Sequence, residues 1–80
     1  MKPIIADFEV YKNKYRTRLK DLREDNDYTQ EYVAAVLGIR QTVYARYERG
    51  FHDLPVRHLI ALSLLYSVST DYLLGLSNIK

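Results

Sequence analysis

YTQEYVAAVLGIRQTVYARYERG, residues 28–50, reads as two short amphipathic helices joined by a tight turn. Thr29 suits the N-cap of the first, its hydroxyl free to accept an orphan backbone N–H. Tyr32, Val33, Val36 and Leu37 then recur at helical spacing and make one buried stripe. Gly38 follows where the chain must turn, since a left-handed backbone carries no Cβ penalty there, and Ile39 is placed to plug the corner. The second helix runs from about Arg40 to Arg49 and stops at Gly50. At ~100° per residue Tyr44, Tyr47 and Glu48 share one side. Thr42, Ala45, Arg46 and Arg49 share the other, with Gln41 at its edge. One face packs inward, and the opposite face is short, polar and basic.

The flanking sequence supplies a scaffold for this pair. Tyr15, Leu19 and Leu22 form a core stripe on a first helix that ends near Asn26 and Asp27. Pro55 suits the opening of a fourth helix, and Leu59, Ile60, Leu62, Ser63 and Leu65 follow with little polar interruption, which predicts a central buried helix. Ser69 or Thr70 caps a fifth, Asp71 favours its first turn, and Tyr72, Leu73, Leu74 and Leu76 give it an apolar end. The expectation is an all-α fold of five helices and no sheet. Ile4, Ile5, Phe8 and Val10 are apolar without a helical period, so residues 1–13 read as a short N-terminal arm and residues 14–78 as the folded domain.

Composition narrows the function. Eighty residues, 48% apolar and with eight tyrosines, suffice for one small core and no second domain. Without cysteine there is no disulfide, no thiolate nucleophile and no cysteine-ligated metal. No apolar run approaches the ~18 residues of a membrane span, and MKPIIADFEV lacks the apolar core of a secretory signal, so a soluble cytoplasmic protein is expected. No glycine-rich phosphate loop, metal-ligand spacing or nucleophile with a base is present, which argues against an enzyme and against a cofactor or small-molecule substrate. His52 is expected in a loop and His58 on a helix surface, neither with the partners of a metal site.

The net charge of +2 is small, but its distribution is uneven. Lys12, Lys14, Arg16, Arg18, Lys20 and Arg23 crowd the first helix, a pattern that is ordinarily a solvated face. Glu24, Asp25, Asp27 and Glu31 form an acidic patch just after it. The third helix offers Arg40, Arg46 and Arg49 against Glu48.

Taken in order, RLKDLRED, YTQEYVAAVLGI, QTVYARYERG and LPVRHLIALSLLYSVSTDYLLGLSN resemble the helix-turn-helix domains of phage repressors and Cro proteins, the xenobiotic-response-element family. The resemblance covers Tyr15 to Leu76. It implies a five-helix lambda-repressor-like domain whose third helix enters the major groove of double-stranded DNA, in a transcriptional regulator, most naturally a repressor, that dimerises on a palindromic operator. Gln41 can meet adenine N6 and N7, and Arg46 can fork onto guanine O6 and N7. Thr42 can donate to a base or phosphate, Ala45 is small enough to let the helix approach or to meet a thymine methyl, Arg40 can reach a phosphate, and Arg49 belongs to the same DNA-facing side. Gln30 matches a glutamine that sets register on the backbone. Arg23 and Glu48 stand where relatives form a largely buried salt bridge; two ordinary surface charges are the alternative.

Three departures stand out. Arg40 replaces a small N-capping residue, Tyr44 fills a position usually held by a branched aliphatic, and Asp53 lies in a loop that is often basic. Asp53 would repel a phosphate, so binding weaker or more salt-sensitive than that of a strongly basic relative is expected. For the homodimer the apolar candidates are Tyr72, Leu73, Leu74, Leu76 and Ile79, or the arm with Ile4, Ile5, Phe8 and Val10; both sets could instead cover the protein's own core. A module of the same fold that binds a partner repressor and does not read DNA is the competing reading, and Phe51 and the apolar chain ends suit it.

Overall fold

Left-handed residues end four of the five helices. In the computed structural model, which describes residues 7–80, α1 (Phe8–Asp25), α2 (Gln30–Leu37), α3 (Gln41–Arg49), α4 (Val56–Tyr66) and α5 (Thr70–Leu74) follow one another with no strand among the described residues. Gly38, Gly50 and Gly75 close α2, α3 and α5 at φ of 71°, 78° and 81°. Ser67 closes α4 at φ 53° despite its Cβ. The reversals after α2 and α4 let α3 and α5 pack back onto the helix before them instead of continuing its axis.

The starts of the helices are also local chemistry. The Thr29 hydroxyl accepts from the Tyr32 amide at 3.0 Å, and the Ser69 hydroxyl accepts from the Tyr72 amide at 3.0 Å. Arg40 precedes α3 and Pro55 precedes α4 without side-chain capping bonds.

The core is built from Tyr15, Leu19 and Leu22 of α1, Val33 and Ala34 of α2, Tyr44 and Tyr47 of α3, Leu62 of α4, Val68 of the following turn and Leu73 of α5. α1 packs on α3 and α5, α2 on α3 and α4, and α4 on α5. Arg18 ties the chain's end to this frame. Its guanidinium stacks 4.1 Å from the Tyr72 ring centroid and donates to the carbonyls of Tyr72 and Ser77 and, at 2.8 Å, to Asn78 Oδ1. Gly75 crosses α1 so closely that a Cβ there would lie 2.6 Å from Lys14 Cβ.

Two expectations are corrected here. α1 begins at Phe8, so residues 8–13 are its first turns and not an arm; Ile4 and Ile5 lie outside the described residues. Phe8, Val10 and Tyr11 extend beyond the core and are exposed, so packing imposes no apolar period on them. α4 is not buried all round. Leu62 and His58 face inward, while Val56, Ile60 and Leu64 form an exposed stripe, because a domain of this size cannot enclose a helix that is apolar on every side.

The hydroxyls of Tyr15, Tyr44 and Tyr66 are buried with no hydrogen-bond partner among the described residues. Burial, followed by the charge of Glu48, raises the pKa of the Tyr66 phenol and keeps it neutral. An unsatisfied buried hydroxyl costs ~1–3 kcal/mol, so removing it is nearly neutral or stabilising. Tyr66→Phe should therefore leave urea stability unchanged or raise it by up to ~1 kcal/mol. A clear loss would mean that the hydroxyl is bonded.

Candidate nucleic-acid interface

The turn between α2 and α3 closes with Gly38 N–H donating to Ala35 O at 3.1 Å and Ile39 N–H to Ala34 O at 3.0 Å. Two of the carbonyls left open at the end of α2 are thus satisfied, and α3 starts in a fixed direction. Tyr44, Tyr47 and Glu48 turn inward from α3, and Tyr44 is fully buried. Thr42, Arg46 and Arg49 are exposed, Gln41 is half-buried, and Arg40 stands exposed ahead of the helix.

Gln41, Thr42, Ala45, Arg46, Arg49 and Phe51 line one shallow depression. Ala45 is only 7% exposed, so it floors the depression instead of projecting from it. Phe51, 67% exposed, joins this set. Sequence reasoning did not place it there, although its position directly after the Gly50 reversal is the signal that could have done so. Its amide donates to Arg46 O at 2.9 Å and holds the loop against the end of α3.

Behind the exposed face lies a polar chain that crosses three helices. Arg23 Nε donates to Glu48 Oε2 at 2.8 Å and Arg23 Nη2 to Glu48 Oε1 at 3.1 Å, a two-pronged bond. The side chains are 14% and 5% exposed, so Glu48 is buried and Arg23 is partly buried. Arg23 Nη1 also donates to Tyr28 O at 3.1 Å. Gln30 Nε2 donates to Glu48 Oε1 at 3.2 Å, and Gln41 Nε2 donates to Gln30 Oε1 at 2.7 Å. Burial alone would raise the Glu48 pKa, but donors from Arg23 and Gln30, the nearby Tyr44 hydroxyl and the Arg23 charge outweigh it and hold the carboxyl below its ordinary value. The Tyr44 hydroxyl lies near enough to favour the carboxylate without forming a geometrically sound hydrogen bond to it.

Two surroundings differ from expectation. Asp53 pairs with Lys12 at 3.1 Å, so its charge is not presented alone beside α3. His58 is 5% exposed and packs 5.9 Å, centroid to centroid, from the Tyr47 ring, not on a helix surface. Burial, and then the charge of Arg57, lowers the His58 pKa. The unfolded chain therefore takes up its proton first as pH falls, so this contribution to stability is complete above the unfolded value of ~6.5 and is lost as pH drops through the lower folded value. Denaturation midpoints should fall below pH 6.5 in the wild type and show less dependence in His58→Gln over the same range. Equal slopes would contradict a buried neutral imidazole.

Among the described residues no group of side chains could hold a metal ion, and no helix is long and apolar enough to cross a membrane.

A domain in which a capped helix, a left-handed glycine turn and a second helix present a polar face is a helix-turn-helix domain, and the helix-turn-helix family profile matches residues 19–73. The chain belongs to the helix-turn-helix family. It is 47% identical over 58 residues to the HTH-type transcriptional regulator ImmR of Bacillus subtilis (strain 168), spanning 72% of this chain and 46% of that protein. It is 39% identical over 64 residues to the uncharacterized HTH-type transcriptional regulator YobD of the same organism, spanning 80% of this chain and 57% of that one. To the HTH-type transcriptional regulator AnsR, also of Bacillus subtilis (strain 168), it is 36% identical over 58 residues, with 72% and 50% covered. The chain thus spans about half the length of these relatives. No solved structure matches it significantly.

Proposed function

We propose that this domain is a sequence-specific DNA-binding transcriptional regulator that acts in a bacterial cytoplasm, with α3 in the major groove. The observation that carries the reading is the polar edge of α3, exposed Thr42, Arg46 and Arg49 with half-buried Gln41 beside them, backed by the Arg23–Glu48 pair. Arg46 forks onto guanine O6 and N7, and Gln41 meets adenine N6 and N7. Thr42 contacts a base or a phosphate, and Arg40 and Arg49 reach the backbone on either side. Ala45, flooring the depression, lets α3 sit close to the base edges. Repression from a palindromic operator follows if two copies read half-sites ~34 Å apart on one face of the duplex.

A homodimer is part of this proposal. Leu73 is committed to the core and Tyr72 and Leu74 pack against it, which leaves Leu76 and Ile79 as the exposed apolar residues of the C-terminal end. The stripe of Val56, Ile60 and Leu64 on α4 is a second apolar surface of the domain. Sedimentation of Leu76→Ser and Leu64→Ser, with and without operator DNA, assigns the interface. A wild type that stays monomeric in both conditions removes the dimer.

Gln30 carries a prediction of its own. A glutamine that only positions phosphate would, on replacement, weaken all sequences alike. Here Gln30 also accepts from Gln41, so Gln30→Ala should weaken binding generally and, in addition, blunt the preference at the base pair read by Gln41. Competition binding with operator variants separates the two components. A strictly uniform loss would mean that the glutamines act independently.

Salt dependence of binding to double-stranded DNA tests the function. A DNA reader loses affinity along a straight line in log salt as counterions are released. The competing reading, a partner-binding module of the same fold, gives no DNA signal at any salt concentration.

A further inference from the structure

Glu48 is buried on the inner side of α3 and does not reach the exposed face, yet it is joined to that face through two amides. The order of donors along the chain has only one solution. A carboxylate offers acceptors alone, so the amide of Gln30 that meets Glu48 Oε1 must present its NH2 group. The carbonyl oxygen of Gln30 then points the other way, toward Gln41. Gln41 in turn must present its own NH2 group to that oxygen, as it does at 2.7 Å. One amide hydrogen and the carbonyl oxygen of Gln41 are left for anything beyond.

That remaining pair is not symmetric toward the bases. Adenine shows a donor, N6–H, beside an acceptor, N7, in the major groove, whereas guanine shows two acceptors, O6 and N7. A Gln41 whose oxygen cannot exchange places with its nitrogen matches adenine and sets oxygen against oxygen at guanine.

We propose that Glu48 is a positioning residue for specificity: through Gln30 it fixes the polarity of the Gln41 amide and so makes that residue select adenine against guanine. The proposal rests on the reading of α3 as the helix that meets DNA. Arg23 completes the device by occupying both carboxylate oxygens, which keeps Glu48 an ionised acceptor on the side that Gln30 meets.

The test uses the whole chain and three variants. Gln41→Ala identifies the operator position that Gln41 reads. Glu48→Gln replaces the acceptor-only group with one that can offer either end to Gln30, and the double variant Arg23→Met/Glu48→Met removes the charges together, leaving no lone buried ion in case the single variant folds poorly. Selection from a random duplex pool should show the adenine-over-guanine preference at that one position falling roughly tenfold in both, while the preference at the Arg46 position stays. In the DNA-free proteins, the NOE contacts of the Gln41 NH2 protons with Gln30 should be present in the wild type and weakened in both variants. Retained adenine preference in a folded variant, or an equal loss at every position, overturns the proposal; the second result would reduce Glu48 to a scaffold role. Gln41 amide protons that ignore Glu48→Gln overturn the polarity relay alone. A wild type that enriches no sequence overturns the adenine assignment together with the DNA-reading proposal, whatever the amide protons show.

Discussion

Arg23→Ala should lower the stability of the domain by about 3 to 5 kcal/mol, because it leaves the Glu48 carboxylate buried without its counter-charge. Gln30 would remain as a neutral donor, too weak to replace a two-pronged guanidinium. The loss measures the stranded charge and not the net worth of the pair, so Arg23→Met/Glu48→Met, which buries no charge, should recover most of it. The acid limb supplies an independent check. Since the folded Glu48 pKa lies below its ordinary value, the pair's contribution is present above ~4.3 and disappears as pH falls through the depressed folded value. Urea midpoints of the three proteins from pH 7 to pH 3 should converge at the acid end. A cost under 1 kcal/mol at pH 7 would contradict a buried pair.

Arg46→Ala should abolish discrimination at one base pair of each half-site, a loss of about 1 to 3 kcal/mol, because a forked guanidinium recognises guanine O6 and N7 together. Arg46 is exposed, so the fold should survive and its melting temperature should barely move. Arg49→Ala, by contrast, should weaken binding to all sequences and lower the salt slope by about one if it contacts a phosphate. Equilibrium binding to single-position operator variants at two salt concentrations distinguishes these results. Unchanged preference in a folded Arg46→Ala would exclude that residue from base reading.

The helix pair at the centre of the chain was legible because its signals are local. The Thr29 cap, the left-handed Gly38 and Gly50 and the inward Tyr44, Tyr47 and Glu48 depend on residues only a few positions apart. The Tyr15, Leu19 and Leu22 stripe was equally clear, since polar residues surround it. α4 was misread for the opposite reason: apolar residues occupy nearly every side, so nothing in the pattern said that Val56, Ile60 and Leu64 would face outward. The start of α1 was hidden because its first turns have no core to pack on, and the burial of His58 depends on the Tyr47 ring opposite. The link between Gln30 and Gln41 spans eleven residues and exists only once α2 and α3 are docked. The shallow place of Ala45 beside Phe51 is likewise a product of packing.

Arg23 and Glu48 hold the scaffold from which α3 is proposed to read DNA. Selection of bound sequences from a random duplex pool at a stated salt concentration tests that reading most directly. Two inverted half-sites with centres about one helical turn apart should be enriched, each with a guanine position that loses its preference in Arg46→Ala. A pool that emerges without enrichment, from a chain shown to be folded, would contradict it.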